Sequence, residues 1–332
     1  MGQAVRDRRR ATILDVAARA GVHAGTVSRA LSDPDRVAAP TRARIAEAVA
    51  ALGFVPNRAA RGLITGRTGN LAVIVPDITN PYFSSLVRAV QRAARSADLQ
   101  VLLVDTGEQR DEEVRAARSL APAVDGFIVV SPRRLHRELD VLGDRRAVFV
   151  NRPLPDRASV LLRAAPAVRD ALAHLAALGH RRVAHLGGPR GSWSASERRT
   201  ALRRSARSID VDIVELPTPA PTFDAARDAV PAIERSQVSA VLAFNDVMAL
   251  GVMAGLAARG RAVPGDMSVV GCDDVSMAAM VAPALSTIAL PTADAGTAAV
   301  ELFAAGAGTR ELFGSFVTRS STAAPRPGGR WR

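Results

Sequence analysis

Between residues 12 and 53 the apolar side chains recur in three short runs at helical spacing. Thr12-Ile-Leu-Asp15 is a variant capping box with aspartate where glutamate is usual. Ile13, Val16, Ala17 and Ala20 then share one face, and Gly21 supplies the positive φ on which a helix ends. After Gly21-Val22-His23 a second helix is expected from near Ala24 through Val27, Ala30 and Leu31, followed by a loop at Ser32-Asp33-Pro34-Asp35. A third starts near Pro40-Thr41, aligns Ile45, Ala48, Val49 and Leu52, and stops at Gly53.

From residue 70 onward the period changes. Short β-rich runs (Leu71–Val75, Val101–Val104, Phe127–Val130, Val148–Val150, Val183–Leu186, Ile213–Leu216, Val241–Phe244, Val269–Gly271) alternate with helical patterns. The helical stretches are Phe83–Ala97, Asp111–Leu120, Ala167–Leu178, Ala195–Ala206, Asp224–Arg235 and Val247–Arg259. Such alternation implies parallel sheets covered by helices on both faces, and about ten strands divide better over two sheets than one.

Two helices joined by a glycine-containing turn and packed by a third read as a helix-turn-helix, whose second helix enters the major groove of DNA. Thr26, Ser28 and Arg29 suit phosphate and base contacts there. The same spacing also fits a small three-helix core with no DNA role.

Charge bears on that choice. The chain has 332 residues, enough for two or three domains, and a net charge of +12. Every basic residue is an arginine. Residues 1–66 hold eleven arginines against five acids, a surplus of +6 that is half of the total. A basic end on a more balanced body points to a polyanionic partner, although an arginine-favouring genome would give part of the excess.

Other chemistry is thinly represented. With Cys272 as the single cysteine, neither a disulfide framework nor a cysteine zinc site fits within one chain. The five histidines show no HExxH spacing, so no metal is expected, and no cofactor. Gly187-Gly-Pro-Arg-Gly191 follows a strand but has neither phosphate-loop spacing, and without lysine there is no Walker lysine and no Schiff-base nucleophile. No apolar run reaches the roughly 18 to 20 residues needed to span a bilayer, and the segment after Arg6–Arg10 is amphipathic rather than a signal core. No membrane partner and a cytoplasmic location are therefore expected.

Particular stretches carry a resemblance. Thr12-Ile-Leu-Asp-Val-Ala-Ala-Arg-Ala-Gly-Val-His-Ala-Gly-Thr-Val-Ser-Arg-Ala-Leu31 resembles the head of the LacI/GalR family of bacterial transcription regulators, and Leu52-Gly-Phe-Val-Pro-Asn-Arg-Ala-Ala-Arg-Gly-Leu63 looks like that family's hinge. The likeness continues through Val75-Pro-Asp-Ile-Thr-Asn-Pro-Tyr-Phe83, Ala243-Phe-Asn-Asp-Val-Met-Ala-Leu-Gly251 and Val269-Val-Gly-Cys-Asp-Asp274, covering about residues 11–320. Each block is moderately specific; their order and spacing together are highly so.

The resemblance implies an all-α helix-turn-helix head plus an α/β two-lobed periplasmic-binding-protein-like effector domain. Its expected divisions are a basic tail (1–10), the head (11–56), hinge and linker (57–69), the effector and dimerisation domain (70–320) and a flexible tail (321–332). One lobe would comprise 70–161 with 292–317, the other 162–291 with 318–320, the chain crossing between them three times. The implied function is a sequence-specific DNA-binding regulator, a repressor, controlled by a small effector, a sugar or sugar phosphate. It would bind a pseudo-palindromic operator as a homodimer. A small-molecule binding protein or a nucleotide-dependent α/β enzyme with an inert basic head is the alternative.

The resemblance also assigns residues. Thr12, His23, Ala24, Gly25, Thr26, Ser28 and Arg29 would contact DNA from the head, and Asn57, Arg58, Ala60, Arg61 and Leu63 from the hinge, with Leu63 as a minor-groove wedge. Asp77, Tyr82 and Phe83 would line one side of the effector cleft; Asn151, Ser192, Trp193, Ser194, Arg198, Phe223, Asn245 and Asp273 complete it. Asp246 and Asp274 are expected to cap turns or helices instead.

The chain departs from the family pattern in places. His23 replaces a serine or threonine, and at the base-reading positions Ala24 can touch only a thymine methyl while Gly25 reads nothing. Arg163-Ala164 stands where an Asp-Asn pair is common, and Asn151 where an aspartate is frequent, which argues against a standard hexose. Arg163 either favours an anionic ligand or points to solvent. The Pro/Gly/Arg-rich tail has no leucine heptads for a tetramer. Within the hinge, Gly62 disfavours helix by roughly 1 kcal/mol relative to alanine, so the hinge is expected to be unfolded off DNA. Amide exchange of the free protein tests this: residues 57–63 should exchange without protection, and protected amides there would contradict the expectation.

Overall fold

The computed structural model describes residues 11–54, 67–218 and 220–326. The expected basic tail, the hinge positions Asn57, Arg58, Ala60, Arg61 and Leu63, and residues 327–332 lie outside them. The chain divides into two units, one ending at Thr68 and the other beginning at Gly69.

In the first unit, helix α1 (Ile13–Ala20) opens on the expected capping box. Thr12 Oγ1 accepts from the Asp15 amide at 3.3 Å, and the Asp15 carboxylate accepts from the Thr12 amide at 2.7 Å. Gly21 ends it at φ +64°. Helix α2 (Ala24–Ser32) runs one residue into the expected loop and is followed by a 3-10 turn at Pro34–Arg36. Helix α3 (Ala39–Leu52) stops at Gly53, φ +57°. Val16, Ala17, Ala20, Val27, Ala30, Val37, Ile45 and Ala48 form the core. Leu31, expected on the inner face, is 37% exposed, because Ala30 takes the inward position beside it.

The second unit holds two six-stranded sheets, hence twelve strands rather than about ten. The first sheet contains β1 (Asn70–Val75), β2 (Gln100–Asp105), β3 (Gly126–Val130), β4 (Arg146–Val150) and β5 (Ala158–Arg163). Between them run helices α4 (Pro81–Ser96) and α5 (Arg110–Leu120). The second sheet contains β6 (Arg182–Leu186), β7 (Asp212–Leu216), β8 (Ala240–Ala243), β9 (Ser268–Asp273) and β10 (Ser286–Ala289). Its helices are α6 (Ala165–Ala177), α7 (Trp193–Ile209), α8 (Phe223–Asp228), α9 (Val230–Arg235), α10 (Asp246–Ala258) and α11 (Ser276–Met280). The expected helix Asp224–Arg235 is thus two, since Pro231 has no amide to donate and would crowd the carbonyl a turn earlier.

The chain then returns to the first lobe as α12 (Thr292–Ala305) and β11 (Thr309–Phe313), and crosses once more to end the second sheet with β12 (Ser315–Val317). The sheet orders are β11-β5-β4-β3-β1-β2 and β12-β10-β9-β8-β6-β7. All pairings are parallel except β12 against β10. Three crossings therefore join the lobes, as expected, but at somewhat different points. Strand β5 carries the first lobe to Arg163 rather than 161, and the last crossing falls at Gly314, so 315–317 belong to the second lobe.

Residues 321–326, assigned above to a flexible tail, lie against the second lobe. The buried Ser321 hydroxyl donates to the Val269 carbonyl at 2.6 Å and accepts from the Ser286 amide at 2.8 Å. The Ala323 carbonyl faces His180 Nε2 at 2.9 Å, and Arg326 pairs with Asp266 at 2.7 Å.

One apolar cluster runs between the lobes along α4, α6, α7 and α12; separate clusters lie beneath α5 in the first lobe and beneath α8 to α10 in the second. Helices therefore cover both faces of both sheets, and within each sheet the parallel pairing puts the C-terminal ends of the strands, β12 excepted, on one edge.

Helices α4 and α12 approach closely because Gly296 has no side chain. A Cβ there would sit 2.5 Å from Ala89 Cβ and 2.9 Å from the Leu86 carbonyl oxygen. Alanine gains up to about 1 kcal/mol in helix propensity, but overpacking at rigid neighbours costs about 1–3 kcal/mol. Gly296→Ala should lower stability by about 1–2 kcal/mol on balance, read from the midpoint of urea unfolding; a variant as stable as the parent would show that the two helices can separate freely.

Candidate functional site

A cavity lies where strand ends of both lobes meet. Residues following β1, β2, β3 and β4 supply Asn80, Tyr82, Phe83, Glu108, Ser131, Arg133 and Asn151. Those at or after the ends of β6, β7, β8 and β9 supply Ser192, Ser194, Arg198, Pro221, Phe244, Asn245 and Asp273. The void they leave is only about 30 Å³.

At its centre is a buried ion pair. The Arg198 guanidinium, from α7, donates to the Phe244 carbonyl at 2.5 Å and to Asp273 Oδ1 at 3.3 Å, and lies 4.8 Å from the Phe244 ring centroid. Both side chains are less than 10% exposed. Burial pushes the Asp273 carboxyl up to about 7; Arg198 pulls it down and the nearby Asp246 carboxylate pushes it further up. Arg198 itself is held protonated by its anionic neighbours despite its burial. The two partners respond oppositely because one long contact to Asp273 returns less than the carboxylate loses on leaving water, whereas the guanidinium also has a carbonyl.

Opposite this pair, Tyr82 stands in the first turn of α4, capped by the Asn80 side chain. Asn151 donates from Nδ2 to the Tyr82 hydroxyl at 2.9 Å and accepts from the Leu162 amide at 3.1 Å, so it fixes the ring's position. Tyr82 packs edge-on to Phe83 at 5.0 Å, and burial raises its hydroxyl pKa. Beside them Arg133 donates to the Ser131 carbonyl at 2.6 Å and to Glu108 Oε1 at 3.1 Å. Burial raises the Glu108 pKa against the pull of Arg133.

Several cavity residues hold unusual backbone. Glu108, Ser131, Asn151 and Asp273 all have positive φ, 60°, 48°, 57° and 119°. Non-glycine residues adopt such conformations at a cost, and they concentrate at sites where a side chain must be aimed.

Of the residues named from sequence, Tyr82, Phe83, Asn151, Ser192, Ser194, Arg198, Asn245 and Asp273 are brought together here. Ser192 and Asn245 are also helix caps, accepting from Ala195 N at 3.2 Å and Met248 N at 2.8 Å, which leaves the Ser192 O–H and the Asn245 amide nitrogen to donate. Asp77, Trp193 and Phe223 do not line the cavity. Asp77 closes a turn on Thr79. Phe223 starts α8, 39% exposed, its carbonyl against Gly251.

Trp193 borders a separate groove of about 480 Å³, with Arg163, Glu311 and Phe313. There Arg163 lies 5.2 Å from the Trp193 ring centroid and is paired with Glu311, which removes it from the cavity and leaves its charge matched. Asp246 and Asp274, expected to cap turns or helices, take distant partners instead: Asp246 accepts from the Val275 amide at 2.8 Å and from the Thr287 hydroxyl, and Asp274 pairs with Arg319 at 2.6 Å. Asn80, Glu108, Ser131, Arg133, Pro221 and Phe244 were not foreseen. Position after a β-rich run signalled most of them, but not which way they would turn.

In the head, Thr12 is committed to its capping box, while the start of α2 is open. His23 is its N-cap with no side-chain hydrogen bond to the first turn. His23, Gly25 and Arg29 are exposed, and Ala24, Thr26 and Ser28 half-buried. Nothing lies within 4 Å of where a Gly25 side chain would begin.

Comparisons with known proteins agree with this fold. Residues 12–57 match the family described as "Bacterial regulatory proteins, lacI family", and residues 172–322 match a "Periplasmic binding protein-like domain". The HTH-type transcriptional regulator CelR of Thermobifida fusca is 34% identical over 302 residues, covering 86% of this chain and 88% of that protein. The HTH-type transcriptional repressor CytR of Escherichia coli K12 is 30% identical over 333 residues, 95% and 97% of the two chains. Among solved structures, a lac repressor dimer bound to operator and an anti-inducer superposes with a TM-score of 0.85 at 26% identity, covering 95% of this chain and all of that one. A CelR–cellobiose complex does so at 0.69 and 28% identity, covering 94% and 100%.

The raised Asp273 pKa has a stability consequence of definite sign. Unfolded, the carboxyl titrates near 3.8; folded, near 7. Between those values the folded state holds the proton more tightly, so this group's contribution to stability falls as pH rises through the window. Asp273→Asn removes the titration. Parent stability relative to the variant should therefore decline from pH 4.5 to pH 7.5 by on the order of a few kcal/mol, measured by urea unfolding at both values. An unchanged difference would mean that the carboxyl is ionised throughout.

Proposed function

The chain belongs to the LacI family of bacterial transcriptional regulators, and from that premise we propose that it is a repressor whose hold on operator DNA is set by a sugar or sugar derivative bound between its two lobes. The observation that carries this reading is the cavity itself. Tyr82, Ser131 and Asn151 from one lobe face Ser192, Arg198, Asn245 and Asp273 from the other, so a ligand touching both sets ties the lobes together. Hydroxyls can donate to Asp273 and accept from Arg198 and the Asn245 amide, which is polyol chemistry. The CelR complex, which holds cellobiose, supports the same class of ligand.

The volume bears on mechanism. Small-molecule pockets ordinarily offer about 300–1,000 Å³, and this void offers about 30 Å³. Effector entry therefore requires the lobes to separate or the lining to move. A ligand shifts an equilibrium only by its differential affinity for the two states, and a lobe angle that changes on occupancy supplies that difference. The change reaches DNA through the hinge that follows the head, altering the spacing of two paired hinges. The coupling is reciprocal: an effector that weakens operator binding is itself bound more weakly by the operator complex.

On the DNA side, α2 presents His23, Ala24, Gly25, Thr26, Ser28 and Arg29 to the major groove. Its first-turn amides, which no side chain caps, are suited to a phosphate. With Ala24 and Gly25 contributing little base readout, specificity falls on Arg29 and on DNA shape. Two heads of a homodimer fit a pseudo-palindrome, and the lac repressor dimer on operator supports that arrangement. Met280, 77% exposed on α11, and Met277 beside it give apolar surface that a second copy would cover. The work of such a regulator places it in the cytoplasm.

The test has two stages. Selection from a random duplex pool should return a pseudo-palindrome bound with steep salt dependence, and a thermal-shift panel of sugars, sugar phosphates and nucleosides should return a stabilising ligand. Asp273→Ala should then lose the ligand-dependent change in operator affinity while binding operator within about twofold of the parent. A variant that still responds normally would mean that the effector site lies elsewhere.

A further inference from the structure

Trp193 and Arg163, which the sequence put in or beside the effector cleft, meet instead in the separate groove of about 480 Å³. One wall is α7, which presents Trp193, Glu197 and Arg204 at spacings of four and seven, hence on one face. The other is the edge strand β11, whose alternate residues Glu311 and Phe313 share a face. Arg163 ends β5, where the chain first leaves the first lobe, and Phe313 ends β11 just before the last crossing at Gly314. An occupant of the groove therefore touches both lobes. The groove's volume lies within the roughly 300–1,000 Å³ of small-molecule pockets, which the void of about 30 Å³ between the lobes does not reach.

Its walls combine aromatic surface with one uncommitted charge. Aromatic residues make up only 4% of the chain, yet Phe313 stands 61% exposed on this groove, the most exposed of the described phenylalanines. Trp193 is half-buried and its ring is already positioned. The Arg163 guanidinium lies 5.2 Å from its centroid and is held in turn by Glu311, to which Arg163 Nε donates at 2.9 Å. A ring fixed beforehand gives up little freedom when a second ring stacks on it. Four charged side chains line the groove. Arg163 and Glu311 pair with each other, and Glu197 accepts from the amides of Ala164 and Ala165. The fourth, Arg204, has no carboxylate within 4 Å and no side-chain hydrogen bond among the described residues, while its neighbours Arg199 and Arg203 share Glu215. Another strand does not suit the place: β11 is short, and Arg310 and Glu311 put charge along its open edge, which discourages pairing with a further chain. What complements these walls is a flat apolar group that carries an anion.

We propose that this groove is a small-molecule site distinct from the interlobe cavity, taking an aromatic carboxylate with its ring between Trp193 and Phe313 and its carboxylate on Arg204. A guanidinium and a carboxylate make charge-assisted hydrogen bonds, and the ring adds stacking to the burial of Phe313. The site does not depend on which effector the cavity takes, but the two share a turn. Trp193 stands between Ser192 and Ser194, both of which line the cavity. A molecule stacked on the indole therefore bears on the start of α7 and on the wall of the cavity.

The chain has two tryptophans, Trp193 and Trp331, so Trp331→Phe leaves Trp193 as the only indole to report. The experiment titrates the full chain carrying that substitution with benzoate, 4-hydroxybenzoate and cinnamate at constant ionic strength, following tryptophan emission. Benzamide, which keeps the ring and loses the charge, and cyclohexanecarboxylate, which keeps the charge and loses the aromatic ring, are the controls. The titrations are repeated with Arg204→Gln and with Phe313→Ala added; both side chains are exposed, and unchanged thermal midpoints without ligand verify the fold. A saturable change in emission with at least one aromatic acid, about tenfold or more tighter than with either control and weakened about tenfold or more by each substitution, supports the site. No saturable change with any of the three acids overturns it. So does binding that either substitution leaves unaltered, as an acid held in the interlobe cavity or on the basic head would give, and so does a control that binds as tightly as the acids.

Discussion

The cleft is organised around a cation that must be buried. Arg198 lies beneath the surface, and a guanidinium there is tolerable only with its donors engaged. The Phe244 carbonyl and Asp273 supply partners, and both come from strand ends of the second lobe. Asp273 is then itself buried, next to the equally buried Asp246, and its carboxyl is driven toward neutrality. Asp246 is anchored by Val275 and Thr287, and the close packing around it leaves Gly271 no room for a side chain: a Cβ there would meet Asp246 Oδ1 at 2.1 Å. One charge thus constrains the ends of β8 and β9 and the turn that follows.

The first lobe answers with Tyr82, Asn151 and the Arg133–Glu108 pair. Tyr82 is fixed by Asn151, which is held by Leu162 in β5, the strand that leads out of the lobe. A change in the lobe crossing at Arg163 is therefore mechanically close to the Tyr82 hydroxyl. Arg152 donates to Gly191 and Arg110 to the Arg190 carbonyl, so two arginines of the first lobe hold one loop of the second. These bonds to carbonyls are replaceable by water, which makes them suited to a joint that opens. The apolar cluster running between the lobes along α4, α6, α7 and α12 is not replaceable in that way, and it limits how far they can part.

Strain is placed where aim matters. Ser131, Asn151 and Asp273 each end or follow a strand with positive φ, which takes their side chains out of the alternation between sheet faces that an extended chain would impose. Asn and Asp tolerate this better than most residues because short polar side chains bond locally. Residues at these positions also line the cavity, so backbone cost and cavity shape fall on the same residues.

The alternation of β-rich and helical runs determined the α/β class, the two sheets and the three-helix head, because hydrophobic period reflects which face is buried regardless of what buries it. Capping residues did as much for local boundaries: Thr12 with Asp15, Gly21 and Gly53 act through neighbours in sequence, and the structure uses them as expected. Strand ends also marked Asn245 and Asp273 as cleft residues, since a parallel fold puts all such ends on one edge. Tertiary structure alone decided what depends on distant partners. Whether Arg163 meets a ligand or Glu311 turns on β11, nearly 150 residues away in sequence. Trp193 and Phe223 follow loops whose direction no local pattern records, and they face away from the cavity that Arg133 and Glu108 enter. The last residues, rich in proline and glycine, read as a free tail until His180, Ser268 and Ser286 gave residues 321–323 hydrogen-bond partners. Periodicity records burial, not the identity of the partner, and the chemistry of this cleft is made of partners.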